Sequence, residues 1–133
     1  MKRREQALLL LGKAAQDESV LDEVLDSDEV SDEVIGFHCQ QAAEKMLKAL
    51  LSDLGVSFRK THELGSLMEL LARSGEPLPV EFENLDALTP FGAVYRYEDY
   101  DAEGPLDRRQ ARASLCALRS WVEGRLRDRP AQD

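Results

Sequence analysis

Cysteine, glycine, proline and histidine are all scarce in this chain, and each shortage excludes a class of structure or chemistry. The two cysteines, Cys39 and Cys116, form no CxxC pair, and neither histidine stands at a metal-ligand spacing from them. We therefore predict no metal site and no cofactor, and we expect both thiols to be reduced and buried within helices. The eight glycines and five prolines are concentrated at a few breaks, which is typical of long helices joined by short loops.

Long apolar runs and excess positive charge are also missing. No apolar run approaches the roughly 18 residues that a membrane span needs. The apolar run over residues 8–11 is too short for the core of a signal peptide. The net charge of −9 produces a field that disfavours nucleic-acid binding by the chain alone. We expect a cytoplasmic protein that associates with no membrane.

The length of 133 residues and the hydrophobic content of 43% fit a single globular domain spanning residues 1–133. Apolar spacing predicts five helices, over about residues 2–17, 31–54, 61–74, 80–100 and 107–126. Pro90 interrupts the fourth and either kinks or divides it. Because no segment alternates like a strand, we predict an all-α fold, an antiparallel up-and-down four-helix bundle with an additional short helix.

Individual residues mark the helix ends and the inward faces. Ser31 is placed to cap the second helix, Gly55 to end it, and Thr61 to cap the third. The first helix is predicted to turn a stripe of apolar residues inward, namely Ala7, Leu8, Leu11, Ala14 and Ala15.

An acidic stretch follows the first predicted helix. Residues 17–29 hold seven carboxylates, yet Val20, Leu21, Val24 and Leu25 keep helical spacing. We therefore predict a continuing or second short helix. The stretch lacks the alternating ligands and central glycine of a calcium-binding loop, so we interpret its carboxylates as a solvated face.

One part of the second helix mixes polar and small residues. His38, Gln41, Glu44, Lys45 and Lys48 are interleaved with alanines. On a helix, Gln41, Lys45 and Lys48 share one strip, with His38 beside it. A helix of this composition lets another backbone or a ligand approach closely.

Three segments of the chain form a longer pattern. They are His38-x-x-Gln41-Ala42-Ala43-Glu44-Lys45-x-x-Lys48, Lys60-Thr61-His62-Glu63-Leu64, and Arg96-Tyr97 near the end of the fourth predicted helix. Together they resemble the HEPN family, over about residues 5–127 of this chain.

The resemblance implies both an assembly and a role. HEPN proteins are commonly homodimers, and they resemble the C-terminal helical domain of kanamycin nucleotidyltransferase. They are often encoded beside a minimal nucleotidyltransferase, in some cases as a toxin–antitoxin pair. The resemblance thus implies a nucleotide-binding partner module. Its nucleotide-binding residues would be His38, Gln41, Lys45, Lys48, His62, Arg96 and Tyr97.

The chain departs from the ribonuclease members of the family, which use an Arg followed a few residues later by a His. Tyrosines and carboxylates follow Arg96, and no histidine occurs after His62. The hydroxyl of Tyr97 or Tyr100, with an ordinary pKa of about 10, is a poor proton acceptor at neutral pH. The leading hypothesis is therefore a non-catalytic module with no assigned catalytic residue.

Two alternatives stay open. One is a ribonuclease toxin that uses Arg96 with Tyr97 or Tyr100 in place of the missing His. The other is a dimerising scaffold without a ligand, in which the polar residues bond only to their neighbours. An anion-binding role would gain weight if Lys45 were substantially buried while Glu44 pointed away.

Overall fold

The computed structural model describes residues 2–92 and 105–131 of the chain. Within these residues every regular element is helical. The α-helices are α1 (Lys2–Val24), α2 (Asp32–Leu54), α3 (Leu64–Arg73) and α4 (Arg108–Arg127). Two short 3-10 helices, Val80–Phe82 and Leu85–Gly92, lie between α3 and α4. The predicted all-α bundle is confirmed.

Contacts between helix ends define how the long helices run. Arg4, near the start of α1, binds Asp53 near the end of α2 and the backbone carbonyl of Arg129 just beyond α4. At the opposite end, Arg108 opens α4 and donates to the carbonyl of Leu25, just beyond α1. Helix α1 is therefore antiparallel to both α2 and α4.

Helix α2 lies at the centre of the bundle and has the most sharply defined ends. The Ser31 hydroxyl accepts a hydrogen bond from the backbone N–H of Val34, and Gly55 ends the helix at φ +72°. Both end residues confirm the prediction. Glycine suits the end of the helix because it adopts the left-handed conformation without strain. Between them α2 buries a nearly continuous surface, comprising Ile35, Cys39, Ala42, Ala43, Met46, Leu47, Ala49, Leu50 and Leu51.

The first helix confirms one of the two alternatives predicted for the acidic stretch, and it differs from the prediction in its inward face. It continues without a break through that stretch to Val24. Ala7, Leu11 and Ala14 are buried as predicted, but Leu8 remains 55% exposed. Leu8 lies about 100° around the helix from Ala7 and so falls outside the buried stripe, and Ala15 is half-buried.

The carboxylates of the acidic stretch do not all lie on a solvated face. For those that face the neighbouring helices, the interpretation made from the sequence is wrong. Glu18 is buried and accepts hydrogen bonds from Arg112 and Arg119 of α4. One turn later, Asp22 binds Arg112 at 2.7 Å, and this hydrogen bond lowers the pKa of Asp22. The carboxylates thus join α1 to α4.

Residues 80–92 do not form the predicted fourth α-helix but the two 3-10 helices. Proline explains part of the difference. Pro90 lies inside the second 3-10 helix and has no backbone N–H to donate to an α-helical hydrogen bond. The remainder of that predicted helix, residues 93–100, lies outside the described residues.

The third helix starts two residues later than predicted, at Leu64, and Glu63 rather than Thr61 occupies its N-cap position. The Thr61 hydroxyl accepts from the N–H of Glu63, so it organises the preceding turn. The first N–H groups of α3, those of Leu64 and Gly65, are instead bound by Thr89 and Asp86 of the second 3-10 helix. A distant segment has replaced the local cap.

One face of the last helix is apolar and buried, but its cysteine lies outside that face. Leu115, Leu118 and Val122 are fully buried. Cys116 follows Leu115 on the outer face and is exposed, so the prediction of a second buried thiol is wrong. Cys39 is buried as predicted, and burial raises the pKa of its thiol to about 12.

No helix in the described part of the chain has both the length and the apolar character to cross a membrane.

A buried glycine sets the distance between α2 and the second 3-10 helix. A methyl group at Gly36 would overlap the ring of Phe91. We predict that Gly36→Ala lowers the free energy of unfolding by about 1–3 kcal/mol through overpacking. Urea denaturation followed by circular dichroism measures the change.

Gly12→Ala is the matched control, because Gly12 lies within α1 and faces open space. There the gain in helix propensity should stabilise the protein by at most about 1 kcal/mol. Equal effects of the two substitutions would contradict the proposed contact between Gly36 and Phe91.

Candidate functional site

The polar residues of α2 divide between two nearly buried carboxylates. The first is Asp17 of α1, only 8% exposed. His38 places Nδ1 3.0 Å from its Oδ1, and Lys45 donates from Nζ to its Oδ2 at 2.6 Å. The two residues lie two turns apart on α2, so a single carboxylate from the neighbouring helix holds both.

The second carboxylate is Glu44 of α2 itself, 6% exposed. Its Oε1 accepts from Gln40 at 2.9 Å and lies 2.8 Å from Nδ1 of His62. Its Oε2 accepts from Lys48 at 3.0 Å. Burial alone would raise the pKa of Glu44, but the contacts with Gln40, His62 and Lys48 outweigh burial and leave the pKa below its ordinary value.

Gln40 connects this cluster to the rest of the fold. Its side chain is completely buried, and its amide also donates to the backbone carbonyl of His62 at 2.8 Å. Its carbonyl oxygen accepts from Gln41 at 2.8 Å. Gly92 packs against the same amide, and a Cβ added at Gly92 would overlap it. Gln40 therefore fixes the loop that carries His62.

The sequence analysis named Glu44 in the polar motif without assigning it a partner, and it did not include Gln40. The spacing of Gln40 and Glu44, one helical turn apart, was the available signal, since such pairs hydrogen-bond on a helix. A buried amide beside a buried carboxylate is satisfied only when the two face each other.

The predicted site residues are therefore only partly brought together. Gln41, Lys48 and His62 join the Glu44 cluster, whereas His38 and Lys45 join Asp17. The predictions for Arg96, Tyr97 and Tyr100 fall outside the described residues.

The condition set for an anion site at Lys45 is not met. Glu44 points inward rather than away, and Lys45 already binds Asp17. A phosphate at this position would have to displace a carboxylate that is itself nearly buried. Leaving such a carboxylate unpaired is costly.

Both histidines meet a carboxylate through one ring nitrogen. Each uses Nδ1 to meet its carboxylate, and within the described residues no hydrogen bond involves Nε2 of either ring. A carboxylate on one nitrogen fixes the orientation of the ring. His62, whose side chain is 58% exposed, thus presents an oriented nitrogen to solvent. The arrangement can hold a ligand or partner group by hydrogen bonding.

Comparison with known families identifies the chain. The family model of the HEPN domain matches residues 8–124. The chain belongs to the HEPN family. Neither the comparison with curated proteins nor that with solved structures gives a match.

The described part of this HEPN protein contains no group of three or more His, Cys, Asp or Glu side chains arranged to hold a metal ion. The carboxylates of its polar motif are used by lysine, histidine and glutamine side chains instead. These side chains form ion pairs and hydrogen bonds with one another.

The Glu44 cluster should make the stability of the HEPN domain depend on pH. A carboxylate whose pKa is lower in the folded state stabilises the fold above its unfolded pKa, and this contribution is lost as the pH falls through the folded value. We predict that Glu44→Gln lowers the free energy of unfolding at pH 7 by about 3–5 kcal/mol. It should also flatten the loss of stability below the ordinary glutamate pKa of 4.5.

Asp26→Asn is the matched control for this measurement. Asp26 pairs with Arg109 at 2.9 Å, but both side chains are more than two-thirds exposed. Removing that pair should cost less than about 1 kcal/mol. Urea titrations at a series of pH values give the free energy of unfolding of each variant. If this free energy varied with pH in Glu44→Gln as it does in the wild type, Glu44 would not be the source of the pH dependence.

Proposed function

We propose that this HEPN protein is a non-catalytic binding module that works with a separately encoded minimal nucleotidyltransferase. In the shared cleft it would help to hold the nucleotide of that enzyme. The observation that carries the proposal is that the basic side chains of α2 are paired within the chain. His38, Lys45 and Lys48 of α2, together with His62, each meet a carboxylate of the same chain.

Internal pairing favours a protein partner over an RNA substrate. RNA binding depends strongly on cations that neutralise phosphates, and both lysines of the α2 motif are already paired with carboxylates. Its side chains are instead fixed before binding, which lowers the entropy lost when a protein surface docks. The exposed Nε2 of His62 supplies one oriented contact.

The proposal extends to the assembly and its setting. The protein would act as a homodimer in the cytoplasm, and with the nucleotidyltransferase it could form a toxin–antitoxin pair. The family membership and the exposed leucines of α1 support this extension.

Co-expression with a nucleotidyltransferase encoded by an adjacent gene tests the partnership. We expect the two proteins to co-purify and to bind in calorimetry. His62→Ala should weaken that binding by about tenfold, or 1.4 kcal/mol, because it removes the oriented contact. Lys13→Ala is the control, since Lys13 is exposed on α1 outside the motif and should leave the affinity unchanged.

Two results would contradict the partnership. One is the absence of any complex between the purified proteins. The other is growth arrest by the chain alone that Arg96→Ala relieves, which would indicate the ribonuclease alternative.

A second candidate function, a dimerising scaffold without a ligand, is favoured by a separate observation. Leu8 and Leu9 of α1 are 55% and 54% exposed, and Gly12 next to them leaves open space. A second copy of the chain could cover these apolar side chains. Burying each leucine is worth about 1.5–3 kcal/mol.

We predict that Leu8→Glu combined with Leu9→Glu raises the dimer dissociation constant at least tenfold, because two charges would be placed in an apolar contact. Sedimentation equilibrium measures the constant. Val80→Glu is the control. Val80 is 77% exposed, but it belongs to the first 3-10 helix and not to α1. If the leucine variant and the control dimerise equally, α1 is not the interface.

A further inference from the structure

The connection between α2 and α3 forms a cavity separate from the carboxylate clusters. Its volume is about 430 Å³, and loop residues 57–61 and one face of α3 line it. Small-molecule sites in proteins typically occupy about 300–1,000 Å³. The cavity is therefore large enough for a ligand the size of a nucleotide.

Three basic residues converge on this cavity, namely Arg59, Lys60 and Arg73. All three are exposed, and within the described residues none forms an ion pair. This distinguishes them from the arginines of α4, where Arg108, Arg112 and others are bound to carboxylates.

The charge of the cavity is opposite to that of the chain. Among the described residues that line it, Glu63 is the one carboxylate, and the Ser66 hydroxyl donates to that carboxylate at 3.0 Å. Against a net charge of −9 for the whole chain, a local excess of positive charge in a concave site attracts anions selectively.

The cavity also offers an apolar surface. Phe58, Leu67 and Leu70 line it beside the cations. Lys48 of the Glu44 cluster lies 5.5 Å from the centre of the Phe58 ring, so the ring is held against the polar motif. An aromatic ring next to cations suits a ligand with an anionic end and a flat apolar end.

Side chains, rather than the start of α3, would have to bind an anion here. The first N–H groups of that helix are occupied by Thr89 and Asp86. Arginine guanidinium groups bind phosphate oxygens through paired, charge-assisted hydrogen bonds. Phosphate is therefore the anionic group that best fits this set.

We propose that the cavity between α2 and α3 binds a small phosphate-bearing ligand of nucleotide size. Arg59, Lys60 and Arg73 hold the phosphates, and the organic part lies against Phe58 and Leu70. The inference rests on the proposed nucleotide-binding role, and it moves the phosphate contacts away from the neutralised lysines of α2.

Isothermal calorimetry on the full chain tests the pocket with three probes. ATP and inorganic tripolyphosphate should bind, with ATP tighter because of the Phe58 contact, and adenosine should not bind. Arg59→Gln combined with Arg73→Gln should weaken ATP binding at least about tenfold, since hydrogen bonds to charged groups are individually strong.

The matched control replaces two cations elsewhere on the surface, Lys13→Gln with Arg127→Gln. Both residues are exposed and lie outside the cavity lining, and the double variant has the same net charge as the pocket variant. Its ATP affinity should stay within twofold of wild type. The melting temperature of each variant verifies that both proteins fold.

Three results would refute the proposed binding site. These are no binding of ATP or tripolyphosphate, an equal loss of ATP affinity in the control variant, or adenosine binding as tightly as ATP. Single-stranded RNA that binds more than tenfold tighter than ATP through the same arginines would overturn it in favour of a nucleic-acid surface.

The proposed ligand-binding pocket and the proposed partnership with the nucleotidyltransferase can be refuted independently of each other. A pocket variant that loses ATP but still co-purifies with the nucleotidyltransferase supports both inferences. A wild-type protein that binds the nucleotidyltransferase but no phosphate compound refutes the pocket alone. One that binds ATP but no nucleotidyltransferase refutes the partnership alone.

Discussion

The packing of this bundle depends on carboxylates that are buried and must therefore be paired. Within residues 2–92 and 105–131, five acidic side chains are under a tenth exposed, namely Asp17, Glu18, Glu44, Asp53 and Glu76. Each is bound by at least one basic side chain. Because an unpaired buried carboxylate destabilises a fold by several kcal/mol, each pair constrains the position of its helix. Asp17 fixes α2 against α1, Glu18 fixes α4, and Glu76 ties the end of α3 to α4.

The same pairing determines where the molecule can bind other molecules. Cations committed to buried carboxylates contribute little to the external field, so the conspicuous lysines of α2 lie in a nearly neutral patch. Arg59 and Arg73 form no ion pair among the described residues, and both line a cavity. The polar motif therefore stabilises and orients, while the neighbouring loop carries the accessible charge. Lys48 connects the two, since it binds Glu44 and lies over Phe58.

Local signals predicted the helices well where a cap or a break is encoded by adjacent residues. Ser31 and Gly55 mark the ends of α2 because a hydroxyl cap and a left-handed glycine act within one turn. Prediction failed where a distant segment decided. Thr89 and Asp86 cap α3 from the second 3-10 helix. The exposure of Leu8 likewise depends on how closely α1 approaches its neighbours, which helical periodicity alone does not specify.

By itself the sequence determined an all-helical chain, the boundaries of its central helix, and the polar motif that marks the HEPN family. Those features arise from residues within a few turns of one another. Only the tertiary structure decided what the motif does. Whether Glu44 faces inward, and whether Lys45 meets a phosphate or Asp17, depends on helices that are distant in sequence. Charges interact through space, so their partners become known only when the helices are packed.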